Sequence, residues 1–221
     1  MRRRDKEVTD RKAMEEVLAR ADWGTLGLVT ARGTALLVPI NHVFHNGRLY
    51  FHSARTGEKM ETLRTDARAT YLVVDAYARI PSYAFDPAYA CPASQCFKSV
   101  IAYGRVAAVE APERKAEILQ TLMAHLQPEG GHQPITVDSP QYRAAIASVA
   151  VLEMTIERMT GKFGLGQALK PDQRAAVEAV LGERGGPQDA RTLAAMAGIG
   201  SGSPQTALPD RTDEGGLSPR T

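Results

Sequence analysis

Apolar and polar positions recur along this chain with two different periods, and each change of period marks a new element. From Thr9 to Ala21 the residues Met14, Val17, Leu18 and Ala21 fall at helical spacing, with Thr9 and Asp10 placed to cap the first turn. Trp23 and Gly24 close that helix, and the period drops to two. Segments 25–31 and 34–44 read as strands. The second is a nearly continuous run of branched apolar residues, as carried by a strand buried on both faces. Pro39 interrupts it, which marks an edge, a bulge or an opening in the ladder. Asn46-Gly47 is a hairpin signal. Residues 48–53 return as a third strand, with Arg48, Tyr50 and His52 on one face and Leu49, Phe51 and Ser53 on the other.

A short helix is expected from Gly57 to Thr65, with Met60 and Leu63 inward, followed by a strand over 69–77. Segment 78–96 holds three prolines and three aromatics without a period, so it reads as a long loop of the kind that serves as a lid. Strand 97–110 turns the small apolar residues Val100, Ala102, Gly104, Val106 and Ala108 toward a core. Its other face, with Ser99, Ile101, Tyr103 and Arg105, is mixed and suits a ligand or a second subunit. Pro112 opens a helix striped with Ile118, Leu119, Leu122, Met123 and Leu126. A further helical segment is expected over 140–147. Residues 149–159 alternate as the sixth strand, with Ala150, Leu152, Met154 and Ile156 inward.

Six strands, several joined by short turns, predict antiparallel pairing and an α+β fold: a small β-barrel with flanking helices. A weak helix is expected at 171–181. From about Gly185 the chain is rich in Gly, Pro, Ser and Thr, and 185–221 reads as a disordered tail.

Composition narrows the function classes. A net charge of +2 over 221 residues gives no case for nucleic acid or an anionic membrane, and the basic Arg2–Arg4 cluster is local. No apolar run approaches the ~20 residues of a membrane span. The N-terminus lacks the apolar core of a signal peptide, so the cytoplasm is the expected compartment. Cys91 and Cys96 make no disulfide framework. With no second Cys pair they complete neither a structural zinc site nor an iron–sulfur cluster, and no metal site is expected.

The stretch "YFHSARTGEKM" carries the candidate chemistry, because a strand runs directly into Ser53, Thr56, Gly57 and Lys59 at a helix head. Free amides there, the helix dipole and the Lys59 charge suit an anion. The same residues also suit a plain cap, with Ser53 or Thr56 bonded to the first turn and Lys59 solvated. The glycine pattern of a P-loop is missing. Pro39 and Asn41 at a strand end would free backbone groups for a flat polar heterocycle, or form a simple bulge. His52, beside the helix head, is either a rim histidine or a proton donor or substrate contact.

In order, the helix, "LGLVT", "VPINHVFHNGRLYFHSARTGEKMETLRTDARATYLVV" and "FKSVIAYGRVAAVE" resemble the pyridoxamine 5′-phosphate oxidase-like flavin-binding split barrels, closest to the nitroimidazole-resistance branch. The resemblance covers about residues 1–162, which implies a barrel domain over that span and leaves 163–184 as a helical extension. It implies a six-stranded split barrel that forms a homodimer with FMN sites shared between subunits. Pro39, Ile40 and Asn41 would face the flavin ring; His52, Ser53 and Ala54 would lie along the ring and ribityl chain; Gly57, Glu58 and Lys59 would reach the phosphate. Lys98, Ser99 and Val100 would add contacts from the partner subunit, Lys98 standing where the branch commonly has arginine, and Lys162 would join the site. The implied function is that of an FMN-dependent oxidoreductase acting on a small molecule, with His52 as the candidate catalytic residue. The alternative is a non-catalytic carrier or sensor of haem, deazaflavin or flavin, in which His42 or His52 would ligate haem iron.

Overall fold

The computed structural model describes residues 4–199. The strands are β1 (Glu7–Val8), β2 (Trp23–Val29), β3 (Ala35–Asn41), β4 (Val43–His45), β5 (Arg48–Ser53), β6 (Arg68–Ile80), β7 (Ser94–Val109) and β8 (Ala150–Gly164). The helices are α1 (Arg11–Arg20), α2 (Glu58–Thr65), α3 (Pro112–Leu126), α4 (Pro140–Ser148), α5 (Pro171–Arg184) and α6 (Pro187–Ala197). The α+β class and antiparallel pairing are as expected, with eight strands in place of six.

The two additional strands have a clear origin. Two residues, Glu7 and Val8, pair with Lys162 and Gly161 to make β1. The apolar run 34–44 splits at His42, and its halves serve opposite edges of one sheet ordered β3-β2-β6-β7-β8-β5-β4. Because β3 and β4 are joined through a single residue, the two ends of the ladder are one piece of chain, and the sheet is drawn into a barrel. The break falls at His42; Pro39 lies inside β3, paired with Thr25.

His42 holds the closing corner. It is fully buried, with Nε2 at 2.8 Å from the Leu18 carbonyl and Nδ1 at 2.9 Å from the Tyr71 hydroxyl. A carbonyl only accepts, so Nε2 carries the proton. Burial lowers the ring's pKa to about 4, so the ring is neutral and Nδ1 accepts from Tyr71. The same Tyr71 hydroxyl stands 3.0 Å from the Ile40 carbonyl. One buried pair thus ties α1, β3, β6 and the corner together. Gly24 makes room for it, since a Cβ there would sit 2.4 Å from the Tyr71 ring.

The barrel core gathers Leu26, Leu28, Leu49, Phe51, Tyr71, Val73, Val100, Ala102, Leu152 and Met154. Along β7 the even positions from Val100 to Val106 point inward, but Ala108 is exposed beyond the core's edge. In β8 the expected alternation holds from Ala150 to Ile156. A bulge then leaves Glu157 unpaired between the Gly104–Ile156 and Tyr103–Arg158 pairs. The parity reverses, so Gly161 and Phe163 face inward and the strand continues to Gly164.

The expected loop 78–96 is shorter. β6 extends to Ile80 and β7 begins at Ser94, which leaves 81–93 as the connection, with a 3-10 turn at Ser82–Ala84. These strand ends are held from outside. Tyr77, Ala78, Ile80 and Cys96 form a second core with Leu165, just past the end of β8, and with Val177, Leu181 and Met196 from the C-terminal helices. The Ala78 amide donates to Thr192 Oγ1, and Arg184 donates to the Arg79 carbonyl. The start of the expected tail is therefore helical: α6 buries Asp189, Thr192 and Met196. The remainder of that expectation, 200–221, and most of the Arg2–Arg4 cluster lie outside the described residues. Among the described residues no helix is long and apolar enough to cross a membrane, and no cluster of metal-ligating side chains occurs.

Candidate functional site

The head of α2 is built by the end of β5. Leu49 and Phe51 enter the barrel core, so Tyr50 and His52 must face outward. Tyr50 is covered by α3 and receives a 2.9 Å hydrogen bond from Arg114. His52, paired with Val151 beyond that cover, is exposed. The ladder ends at Ser53, opposite Ala150, and Gly57 turns the chain with φ 99°, which L side chains rarely adopt.

Among the described residues no side chain caps α2. The Ser53 hydroxyl donates to the Ala54 carbonyl at 2.8 Å, and Thr56 does not reach the first turn. The amides of Met60 and Glu61 both reach the Gly57 carbonyl, at 2.9 and 3.1 Å. Those of Glu58 and Lys59 find no backbone acceptor among the described residues. Lys59 is half-buried, and burial holds its ammonium below the usual lysine value. No carboxylate pairs with it among the described residues. Of the two readings of this stretch, the plain side-chain cap is the one the geometry lacks.

A second group of predicted residues lies on β7 and β8. Ser99 pairs with Lys162, and its hydroxyl donates to the Lys162 carbonyl at 3.2 Å. The Lys162 ammonium lies 5.7 Å from the centre of the Phe97 ring. Lys98, on the other face, sits between the Tyr77 and Phe163 rings at 5.8 and 5.2 Å. The Val100 and Ile40 side chains are in the barrel core, which leaves only their backbones for a ligand. Asn41 donates to the Asp22 carbonyl at 3.1 Å.

The register separates these groups. Pro39 pairs with Thr25, Thr25 with Leu72, and Leu72 with Ile101, so Pro39 shares one outer sheet face with Ile101, Ser99 and Lys162. The His52-to-Lys59 turn starts at the other end of the ladder: Ser53 opposes Ala150, next to the Val151–Val109 pair. Some ten strand residues, roughly 33 Å along β7, separate that end from Ser99.

Sequence reasoning missed Arg191. It forks onto Asp75 at 2.8 and 2.5 Å and stacks 4.3 Å from the Tyr77 ring, beside Lys98. The signal was present: Asp189, Thr192 and Met196 recur at helical spacing after Pro187. His42 leaves the list of candidate haem ligands, since both its ring nitrogens are engaged inside the core.

An antiparallel barrel with an open helix head beside the end of one strand, and Lys162 on an outer sheet face, is the framework of a small-molecule- or cofactor-binding barrel. The model of the pyridoxamine 5′-phosphate oxidase family matches residues 10–163, and the chain belongs to that family. Among solved structures, a putative 5-nitroimidazole antibiotic resistance protein from Bacteroides thetaiotaomicron is 23% identical, with a TM-score of 0.58 over 71% of this chain and 85% of that one. A flavocytochrome from Azotobacter vinelandii is 18% identical, with a TM-score of 0.59 over 72% of this chain and 69% of that one. A FAD- and haem-binding protein from Mycobacterium smegmatis is also 18% identical, with a TM-score of 0.59 over 72% and 73%. At these identities the likeness establishes the fold. No curated protein matches the chain significantly.

Proposed function

We propose that the protein is an FMN-binding reductase of small molecules, working as a homodimer with two shared sites. The observation that carries this is the head of α2, where among the described residues no side chain caps the helix, the Glu58 and Lys59 amides have no acceptor and the half-buried Lys59 ammonium has no carboxylate. Free amides, dipole and cation together match a phosphate monoester. Bound flavin would supply the hydride and electron chemistry; the protein would position and tune it.

The chain's own residues divide that task. Gly57, Glu58 and Lys59 hold the phosphate, and Ser53 and Ala54 border the path from it. The backbones of Pro39 to Asn41 and of Lys98 to Val100 offer polar groups to the ring, with Lys162 adding positive charge. His52, exposed beside the helix head, is the group placed to touch substrate or donate a proton.

The same geometry supports the dimer. The turn at residues 52–59 and the group at 98–100 and 162 lie at opposite ends of β7, so joining them on one cofactor calls for a second chain. The outer sheet face carries Leu37, Leu72 and Val74, exposed by 68%, 36% and 57%, which suits a partner subunit. The nitroimidazole-resistance neighbour favours nitro compounds as the substrate class to test first.

Purified protein should take up FMN, and Lys59→Ala should weaken that binding by roughly ten-fold or more, while Lys12→Ala on α1 leaves it unchanged. Equal affinities in the two variants would overturn the phosphate assignment. A Soret band in the purified protein, with no FMN uptake, would replace the flavin reading by the haem one.

A further inference from the structure

Two adjoining cavities, of about 210 and about 340 Å³, open between α2, the last residues of β7, and helices α3 and α4. They share Arg55, Glu110 and Lys115 in their walls, and none of the residues assigned above to the cofactor lines either one. Val106 and Leu152 supply apolar wall in the first and Ile146 in the second. Arg64 adds a cation to the first and Arg143 to the second.

Lys115 is the anomaly. The residue is buried, 7% exposed, and among the described residues its ammonium makes one long hydrogen bond, 3.4 Å to the Val149 carbonyl. It belongs to the first turn of α3, where the positive end of the helix dipole disfavours a cation. Burying an unpaired charge is costly. Arg55 donates to the Ala147 carbonyl at 2.6 Å and Arg64 to the Arg55 carbonyl at 3.3 Å, which orients both without neutralising either. Four cations face one carboxylate, and none of the five makes an ion pair among the described residues.

We propose that this cleft is a second binding site, for a small organic anion with an apolar body. The alkyl or aryl part would lie along Val106, Leu152 and Ile146, and a carboxylate or phosphate group would meet Lys115 within the ring of Arg55, Arg64 and Arg143. Apolar wall and convergent donors in one concave space are the usual make-up of a ligand pocket. An anion would offset the burial of Lys115, which no carboxylate among the described residues does.

The test uses the full chain and the fluorescence of 8-anilinonaphthalene-1-sulfonate, displaced by octanoate, by phenyl phosphate and by neutral 1-octanol. Octanoate or phenyl phosphate should displace the probe at least about ten-fold more effectively than octanol, and the better of the two identifies the head group. Lys115→Met and Arg143→Ala should each weaken that displacement by about ten-fold, and saturating FMN should leave it unchanged. Without ligand, Lys115→Met should melt no lower than the unmodified protein, yet lose the rise in melting temperature that the anion confers. Arg143 is exposed, so its variant carries the test even if Lys115→Met fails to fold. Octanol matching octanoate, unchanged displacement in the Arg143 variant, or displacement of the probe by FMN would each overturn the proposal. The last result would assign the cleft to the cofactor; loss of FMN binding alone would leave this site standing.

Discussion

The corner at His42 makes the stability of this barrel depend on pH, with a sign fixed by burial. Desolvation by burial is the largest cause that lowers the ring's pKa, from the ordinary histidine value of 6.5 to about 4 in the folded protein. Between those values the unfolded chain binds the proton and the folded chain does not, so acid favours unfolding. The contribution is present above pH 6.5 and is lost as pH falls toward 4. Each unit is worth about 1.36 kcal/mol. Evaluating both binding curves at pH 7 and pH 5 gives a loss of about 2 kcal/mol, with a ceiling of about 3.4 kcal/mol below pH 4. Urea unfolding at one protein concentration should be compared for the unmodified chain and His42→Gln at both pH values. At pH 7 the variant should be less stable by about 1–3 kcal/mol, because it disturbs the bonds to Leu18 and Tyr71. That gap should narrow by about 2 kcal/mol at pH 5, since glutamine does not titrate. A gap of the same size at both values would refute the buried, neutral assignment. So would a histidine resonance at this position titrating near pH 6.5.

Other consequences of the geometry can be checked individually. Gly104→Ala should cost more than about 3 kcal/mol in a denaturant titration, because its Cβ would lie 1.9 Å from the Thr155 carbonyl oxygen beside the β8 bulge, far inside van der Waals contact. Arg191→Ala should loosen α6 at a cost of about 1 kcal/mol, since the pair with Asp75 is partly exposed; hydrogen exchange at the Ala78 amide should rise with it. Leu37→Asp should move the protein from dimer to monomer in light scattering and weaken FMN binding in parallel; an intact dimer would remove the outer sheet face from the interface.

Much of the fold was legible because its signals are local. Alternation marked most of each main strand, Asn46-Gly47 marked the hairpin, and Pro112 marked the start of α3. What escaped was decided by partners distant in sequence. Residues 78–80 carry no clear period because their burial comes from Thr192 and Met196, more than a hundred residues away. The bulge at Glu157 is invisible in β8 alone, since it answers the close approach of Gly104 on the neighbouring strand. Pro39 drew attention as the break in its run, whereas the break lies at His42, whose role depends on Leu18 and Tyr71.

The candidate site divides along the same line. "YFHSARTGEKM" could be read locally because an anion site at a helix head is made from a few consecutive residues. The choice between cap and cradle still required coordinates, since Ser53 turns its hydroxyl to Ala54 and leaves the helix head open. For the group at 98–100 and 162, the alternation of strand 97–110 pointed only to a mixed face, with Ser99, suited to a ligand or a second subunit; the resemblance supplied the individual residues. The two segments meet through the Ser99–Lys162 pairing. Its distance from Lys59 along β7 gives the physical reason. If the site is completed by a second copy of the chain, half of its geometry is a property of the dimer, and no pattern within one sequence encodes that juxtaposition directly. The cleft around Lys115 needs no such partner. Its walls come from three helices and two strands of a single chain, and sequence reading passed over it because its cations sit on four separate segments. Burial of one lysine without a counter-charge, visible only after folding, is what distinguishes that set from an ordinary solvated surface.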